Sequence, residues 1–373
     1  MTGRQVPFFP YPEIFLEHEA RFIDIFRDVG GRGAFILQRD LEEFEAQIAA
    51  YTGAAHAVGV ANATDGLQLA LLAGGIASCD EVVICSHTMI ATASAIHFAG
   101  GVPVPIETGP DHLMDLESVE AAITEKTRAI LPTQLNGRTA NMDRLSDIAD
   151  RHDLDIYEDA AQALGSKYRG RCAGTFGVAS SISFYPAKTL GCFGDGGVVL
   201  TNDDDVWTRL RLLRDHGKGD DGEVKLWGVN SRLDNLQAAI LKFKLESYDA
   251  CVTKRRALAS AYERRLDACP QLVLPPGPDA DDEHFDVYQN YEIEAEDRSG
   301  LRAFLRDHGV GTLVQWGGKA VHQFRALGFS QTLPKTESMF TRMLLLPMHP
   351  YLAGKDVGYV CDTILQFYAR RDS

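Results

Sequence analysis

The sequence predicts an α/β protein with a large, mostly parallel but mixed sheet flanked by helices, followed by a smaller α+β domain. Short apolar, β-branched runs alternate with segments of helical periodicity between residues 57 and 203, a pattern typical of βαβ units. A long helical pattern then covers roughly residues 233–266, and a loop rich in Pro, Gly and Asp follows at 275–284. We therefore expect a large domain over residues 1–250 and a small one over 251–373.

Six apolar runs are the expected strands of the large sheet. They are AVGVAN (57–62), EVVICS (81–86), VPVPIE (102–107), RAILPT (128–133), LDIYED (154–159) and SISFY (181–185). After GGVVLTND (196–203) the pattern becomes helical. Helical patterns lie between them, and Asp65, Asp115 and Asn141 stand where such helices should begin, as N-caps or first-turn acids. In the smaller domain, GVGTLV (309–314) is a further expected strand.

The composition excludes several classes of function. The chain has 373 residues, with 37 basic against 52 acidic side chains and a net charge of −15, which argues against nucleic acid or an anionic membrane as the main partner. The seven cysteines are scattered without a C-x-x-C pair, so we expect reduced thiols and no metal site. The start of the chain lacks a signal-peptide pattern, and no apolar run is long enough to span a membrane. These features predict a cytoplasmic protein of the size of an enzyme.

An acid and a lysine are the first candidates for chemistry. Asp159 ends an apolar strand, where parallel α/β folds bind ligands, and Lys188 follows 29 residues later between SISFY and a glycine cluster. Taken singly, Asp159 could be a helix cap and Lys188 a solvated surface charge. Together they fit a pyridoxal phosphate site, in which the lysine binds the cofactor and the carboxylate keeps the ring nitrogen protonated. Thr64, the backbone N–H of Asp65, and Ser183 could then hold the phosphate.

Five segments carry a family resemblance over nearly the whole chain. In their order and spacing they resemble the DegT-type (DegT/DnrJ/StrS) nucleotide-sugar aminotransferases, a branch of the fold-type I, aspartate aminotransferase-like pyridoxal phosphate enzymes. The segments are NATDGLQLAL, SHTMIATASAI, EDAAQALGSKYRG, SFYPAKTLGCFGDGGVVLTND and VNSRLDNLQAAIL.

The resemblance assigns roles to individual residues. It implies that Lys188 is the Schiff-base lysine, that Asp159 pairs with the pyridine nitrogen, and that Gln162 contacts the ring hydroxyl of the cofactor. It also implies a homodimer with shared active sites, in which Asn230 reaches the phosphate held by the neighbouring subunit. The phosphate ligands on the chain itself would be Thr64, Asp65 and Ser183.

Two segments depart from the family pattern. Met89 stands where similar enzymes usually stack an aromatic ring on the cofactor, and a polarizable thioether could pack there instead. His87 is an alternative contact or simply a packing residue. In the smaller domain, VQWGGKAVHQF (314–324) replaces the family's usual element. Its candidate substrate-binding residues are Trp316, Lys319 and His322, and a structural turn is the alternative.

The resemblance implies a ping-pong aminotransferase. Its amino donor would be L-glutamate, and its acceptor would be a keto group of a deoxysugar linked to a nucleoside diphosphate. Two alternatives are a pyridoxal phosphate-dependent deoxysugar dehydratase and a regulatory protein that binds the cofactor without turnover. Related dehydratases replace the Schiff-base lysine with histidine, so Lys188 argues against the first. The lysine, the acid and the phosphate ligands together argue against the second.

Overall fold

The structure is a computed structural model that describes residues 4–370. Its strands are β1 (His56–Val60), β2 (Glu81–Cys85), β3 (Val102–Ile106), β4 (Thr127–Leu131), β5 (Asp155–Asp159), β6 (Lys167–Tyr168), β7 (Arg171–Cys172), β8 (Ala179–Ser183), β9 (Gly197–Thr201), β10 (Leu272–Val273), β11 (His284–Phe285), β12 (Tyr291–Ala295) and β13 (Met343–Leu346). Its α-helices are α1 (Tyr11–Leu16), α2 (Glu19–Arg32), α3 (Arg39–Thr52), α4 (Ala63–Gly74), α5 (Ile90–Phe98), α6 (Leu116–Ala122), α7 (Met142–His152), α8 (Asp204–Arg214), α9 (Asn235–Leu245), α10 (Tyr248–Leu266), α11 (Arg298–Asp307), α12 (Pro334–Arg342) and α13 (Gly354–Ala369).

A seven-stranded sheet in the order β1-β9-β8-β5-β4-β2-β3 forms the centre of the large part of the molecule. Strands β8, β5, β4, β2 and β3 pair in parallel, whereas β9 runs antiparallel to both β1 and β8. All six strands predicted for this sheet are present, and β9 is a seventh that was not predicted. The prediction of a mostly parallel, mixed sheet is confirmed. Strands buried on both faces, as in the fully buried β9, explain why these segments read as continuous apolar runs.

The helices around this sheet begin where the sequence indicates. The side chain of Asp115 accepts a hydrogen bond from the N–H of Glu117 at the start of α6, and Asn141 accepts one from Arg144 at the start of α7. Asp65 lies in the first turn of α4, whose N-cap is Asn62. Each cap satisfies a backbone donor that the helix itself leaves unpaired.

The C-terminal part is built around a three-stranded antiparallel sheet in the order β10-β12-β13. Helices α10, α11 and α13 share an apolar core with it, to which Tyr262, Leu301 and Ile364 contribute. This arrangement agrees with the predicted α+β architecture. The domain boundary after residue 250 stays a prediction, and the segments 1–3 and 371–373 at the outer ends of the two predicted domains lie outside the described residues.

Two details differ from the sequence prediction. The long helical stretch over 233–266 is two helices, α9 and α10, which are interrupted at Glu246 and Ser247, where Ser247 has the non-helical angles φ −111° and ψ 10°. The strand predicted over 309–314 is reduced to two isolated bridges, from Val310 to Val6 and from Leu313 to Leu345. Glycines at 309 and 311 leave few side chains to pack against a neighbouring strand there.

The seven cysteines are free thiols in the structure. Within residues 4–370, none of the helices combines the length and the apolar character that a membrane span requires.

Candidate active site

A cavity of about 590 Å³ opens at the carboxyl ends of the parallel strands, between the large sheet and the C-terminal part. Its volume lies in the range of sites that bind small molecules and cofactors. Seven of the predicted site residues line it: Thr64, Met89, Asp159, Gln162, Ser183, Lys188 and Trp316. Residues that are up to 252 positions apart in the sequence (316 minus 64) therefore meet at one place.

Asp159 is the last residue of β5 and is buried at the base of this cavity. Its Oδ2 accepts a hydrogen bond of 2.6 Å from Thr92 Oγ1, and its Oδ1 accepts one of 3.1 Å from the N–H of Ala161. Burial raises the pKa of this carboxyl, and the hydrogen bonds and the Lys188 amine partly oppose that rise. The cavity therefore contains a desolvated carboxyl group. A nearby cation would favour the ionised form of this group.

A chain of threonine hydroxyls orients Asp159. Thr133 donates to Thr88 over 2.9 Å, Thr88 and Thr92 are 2.8 Å apart, and Thr92 donates to Asp159. Because Thr92 has one proton and gives it to the carboxylate, the hydroxyl of Thr88 must donate to Thr92. The result is a directed set of donors that fixes the carboxylate in one rotamer.

Lys188 lies in the loop after β8, and this loop is held from the C-terminal part. Gln289 accepts a hydrogen bond of 2.8 Å from the N–H of Thr189 and donates one of 2.9 Å to the carbonyl of Ala187. Burial lowers the pKa of the Lys188 amine to about 8, although Asp159 acts in the opposite direction. A lysine with such a pKa has an appreciable neutral, nucleophilic fraction near neutral pH.

The N-terminus of α4 and the end of β8 also line the cavity, through Thr64 and Ser183. They are held together because Gly66 packs directly on Ser181, and a Cβ at Gly66 would clash with the Ser181 hydroxyl. The hydroxyls of Thr64 and Ser183 at a helix N-terminus form a suitable site for an anion.

The structure uses Asp65 differently from the prediction. Its backbone N–H, expected to contact the phosphate, donates over 2.9 Å to the N-cap side chain of Asn62. Its carboxylate accepts a hydrogen bond of 2.7 Å from Ser231. Asp65 is not among the residues that line the cavity, so it supports the site by anchoring the chain beside Asn230.

Gln162 and Met89 also line the cavity. The Oε1 atom of Gln162 accepts hydrogen bonds from the N–H of Asn136 at 2.9 Å and from Asn290 Nδ2 at 3.2 Å. This network assigns the amide so that its NH₂ group remains as a donor to the cavity. Met89 caps α5 with its side chain 53% exposed, which leaves the thioether free to pack on a planar ligand.

The segment around Trp316 agrees with the prediction only in part. Trp316 lines the cavity, and its ring also packs on His87 with ring centroids 5.2 Å apart. Lys319 is exposed and does not line the cavity. His322, a predicted substrate ligand, is fully buried, with Nδ1 2.7 Å from Ser86 Oγ and Nε2 3.1 Å from Glu337. Both ring nitrogens of His322 therefore already have partners within the fold, and His322 does not line the cavity.

Asn230, the predicted contact to a second subunit, is exposed and lies outside the cavity. It ends a surface loop whose Trp227 is 98% exposed and whose Val224 is 68% exposed. Arg232, two residues further along the chain, forms an ion pair of 3.0 Å with Asp215. Large apolar side chains exposed in this way are typical of a surface that another chain covers.

Sequence reasoning missed Gln289 and the threonine chain. Gln289 lies 101 residues from Lys188 (289 minus 188), and no spacing rule connects a glutamine before a strand with a loop in the other half of the chain. Thr92 had a weak signal, because it follows Thr88 by one helical turn in a segment already suspected of lining the site.

Comparisons with known proteins identify the family. The model of the DegT/DnrJ/EryC1/StrS aminotransferase family matches residues 17–365. The chain belongs to this family. It is therefore an aminotransferase, and the predicted resemblance, fold and pyridoxal phosphate dependence are confirmed.

Similar proteins cover the chain almost from end to end. The aminotransferase is 40% identical to dTDP-3-amino-3,4,6-trideoxy-alpha-D-glucose transaminase of Streptomyces venezuelae, over 99% of this chain and 97% of that protein. It is 39% identical to the pleiotropic regulatory protein of Geobacillus stearothermophilus, over 97% and 98% respectively. The crystal structure of S. venezuelae DesV in complex with a ketimine intermediate superposes with a TM-score of 0.93, at 40% identity, over 97% of this chain and 98% of DesV.

Proposed function

We propose that this aminotransferase transfers an amino group from L-glutamate to a keto group of a sugar linked to a nucleoside diphosphate, and that it works as a homodimer. The observation that carries the proposal is the pair formed by Lys188 and Asp159. A lysine whose pKa is about 8 and a buried carboxylate line the same cavity. This is the combination that pyridoxal phosphate requires.

The residues of the cavity fit the cofactor group by group. Thr64, in the first turn of α4, and Ser183, at the end of β8, would hold the phosphate. Asp159 would accept a hydrogen bond from the protonated ring nitrogen, and the free NH₂ of Gln162 would donate to the ring hydroxyl. Met89 would pack against one face of the ring. When bound, pyridoxal phosphate supplies a carbonyl that takes up the amino group and a ring that accepts electrons.

The chain's own residues would then bind, orient and move protons. Lys188 would hold the cofactor and, once displaced by the amino donor, carry a proton to and from the substrate Cα through its Nζ. Gln289 would keep the loop of Lys188 in place through its two hydrogen bonds. The hydroxyl chain ending at Thr92 would keep the Asp159 carboxylate aimed at the ring nitrogen.

Relatives support a nucleotide sugar as the acceptor. The S. venezuelae relative is by name a transaminase of a dTDP-linked amino sugar. Trp316 offers an aromatic surface in the cavity for a sugar or a base. Lys319, exposed on the same turn, would approach the diphosphate only from outside the cavity. One relative is named a pleiotropic regulatory protein, so a regulatory role is the alternative. Lys188 and Asp159 in this chain favour catalysis.

Two half-reactions test the proposal. Purified protein loaded with pyridoxal phosphate is mixed with L-glutamate alone, and 2-oxoglutarate is measured. We expect about one equivalent per chain, and none from Lys188→Ala. The product of this first step is then offered dTDP- and UDP-linked keto sugars, and amino sugars are detected by mass spectrometry. Release of 2-oxoglutarate without amination of any nucleotide sugar would contradict the proposed acceptor, and no release would contradict the proposed donor.

A further inference from the structure

Beside the main cavity lies a buried cluster of two histidines and one glutamate. His87 precedes α5, His112 precedes α6, and Glu292 lies on β12. One ring nitrogen from each histidine and a carboxylate oxygen of Glu292 all lie within 4.8 Å of one another. His87 Nε2 is 3.4 Å from Glu292 Oε1, and His112 Nδ1 is 3.1 Å from Glu292 Oε2. The three side chains thus converge on one point.

The hydrogen bonding of His87 leaves one nitrogen without a partner. Its Nδ1 lies 3.1 Å from the carbonyl oxygen of His112, so Nδ1 must carry a proton and donate it. The other nitrogen, Nε2, is fully buried and has no hydrogen-bond partner among residues 4–370. In the neutral ring, its lone pair therefore faces the carboxylate of Glu292. Burying the lone pair of His87 Nε2 against the carboxylate oxygen of Glu292 costs free energy unless a cation lies between the two atoms.

The surrounding groups are arranged like those around a protein-bound metal ion. Histidines that bind metals usually donate their second ring N–H to a backbone carbonyl or a carboxylate. His87 does so to the carbonyl of His112, and His112 Nε2 lies 3.2 Å from Glu294 Oε1. Glu292 is itself oriented by Asn136 Nδ2 at 2.7 Å and Gln315 Nε2 at 3.1 Å. Each of the three converging side chains thus has a second partner that fixes its direction.

We propose that His87, His112 and Glu292 bind a zinc ion. Two imidazole nitrogens and one carboxylate form a ligand set that zinc accepts, with a fourth position left for water. A cavity of about 40 Å³, lined by His112, Asn136 and Glu292, adjoins the cluster. It has room for such a water and provides a path for the ion.

A proton is the competitor of zinc at this site. Although burial favours the neutral ring, the carboxylates of Glu292 and Glu294 raise the pKa of His112 to about 10. Zinc must therefore displace a proton from His112 Nδ1, while Nε2–H continues to donate to Glu294. The alternative to a metal site is thus a network of ion pairs in which a protonated histidine, and no metal ion, balances the charge of the carboxylates.

A bound ion would stabilise the arrangement of the active site without contacting the substrate. None of the three ligands lines the main cavity. Glu292 is nevertheless hydrogen-bonded to Gln315, which does line it, and to Asn136, whose N–H holds Gln162. His87 also packs on Trp316. The ion would therefore fix the positions of Gln162 and Trp316, and we assign it a structural role that does not depend on which amino donor or sugar the enzyme uses.

Metal analysis of the intact holoenzyme tests the proposal. The protein is treated with a chelator, dialysed and titrated with zinc sulfate, followed by calorimetry, elemental analysis and thermal melting. We expect one tightly bound zinc per chain, a rise in Tm on zinc addition, and two imidazoles in the X-ray absorption spectrum at the zinc edge. His87→Gln and Glu292→Gln should lose this zinc, and Glu294→Gln should bind it about 10 to 100 times more weakly.

A matched control excludes adventitious binding at thiols or exposed histidines. His56 forms a surface pair of 2.6 Å with Asp204, so His56→Gln removes a histidine next to a carboxylate and should keep the zinc. A wild-type protein that binds no zinc after chelation would overturn the proposal in favour of the proton-held network. Equal zinc binding by wild type and His87→Gln would overturn it as well, because the ion would then lie elsewhere.

Discussion

At the scale of single residues, Lys188 and Asp159 are two charges whose protonation depends on burial and on each other. Burial favours the neutral form of both, and each partly restores the charge of the other. A cofactor with a protonatable ring nitrogen gives Asp159 a permanent partner. The positive charge of that ring would oppose the effect of burial, which raises the pKa of this carboxyl.

The first prediction concerns Asp159→Asn. The amide keeps the shape of the side chain and removes a desolvated charge, so the Tm should be unchanged or slightly higher. The rate of the half-reaction with L-glutamate should fall about a hundredfold or more, because the charge that holds the ring proton is gone. Stopped-flow spectroscopy measures the rate. If the variant reacts at the wild-type rate, a group other than Asp159 must keep the ring nitrogen protonated.

The second prediction concerns pH. The lysine must be unprotonated to react, so the rate at which cofactor-free protein takes up pyridoxal phosphate should increase with pH, reach half its maximum near pH 8, and level off above it. Because Asp159 raises the pKa of Lys188, Asp159→Asn should move the midpoint to lower pH. A midpoint near 10.5, the ordinary value for lysine, would show that the amine is not desolvated.

At the scale of elements, the strands could be predicted and parts of the site could not. Strands β1 to β5 and β8 are apolar runs bounded by turn residues, so their local pattern and their tertiary setting agree. The break between α9 and α10 could not be predicted, because no proline or glycine marks it in the sequence and the helical periodicity continues across it. Cavity residues such as Gln289 depend on contacts between distant segments, which periodicity does not encode.

The third prediction concerns the turn that carries Trp316 and Lys319. Trp316 lines the cavity and Lys319 does not, so Trp316→Ala should raise KM for the nucleotide sugar about tenfold, whereas Lys319→Ala should raise it less. Neither change should alter the half-reaction with L-glutamate, which involves no nucleotide. Steady-state and single-turnover kinetics give both quantities. Equal losses in both half-reactions would mean that the turn only supports the fold.

At the scale of the whole molecule, the exposed loop that ends at Asn230 predicts a second subunit. Trp227 at 98% exposure and Val224 at 68% are costly to leave in water. The sequence could indicate a role for this loop in a dimer only through the family resemblance. Contacts between two chains leave no periodic pattern in the sequence of either chain.

The fourth prediction is that the protein is a dimer in solution with shared sites. Asn230→Ala should weaken cofactor binding, and Lys188→Ala should abolish turnover. If Asn230 serves the partner's site, dissociating and mixing these two variants creates dimers with one fully wild-type site and one doubly altered site. Turnover at limiting cofactor should therefore recover in the mixture. A fully active monomer in sedimentation, or no recovery on mixing, would contradict a shared site.

The most direct test of the account is to find the lysine that binds the cofactor. The holoenzyme is reduced with borohydride, digested and mapped by mass spectrometry, with Lys244, another half-buried lysine whose pKa burial lowers to about 8, as the internal comparison. We expect a reduced pyridoxyl adduct on Lys188 alone, and its loss in Lys188→Ala. An adduct on Lys244 or on any other lysine, with Lys188 unmodified, would contradict it.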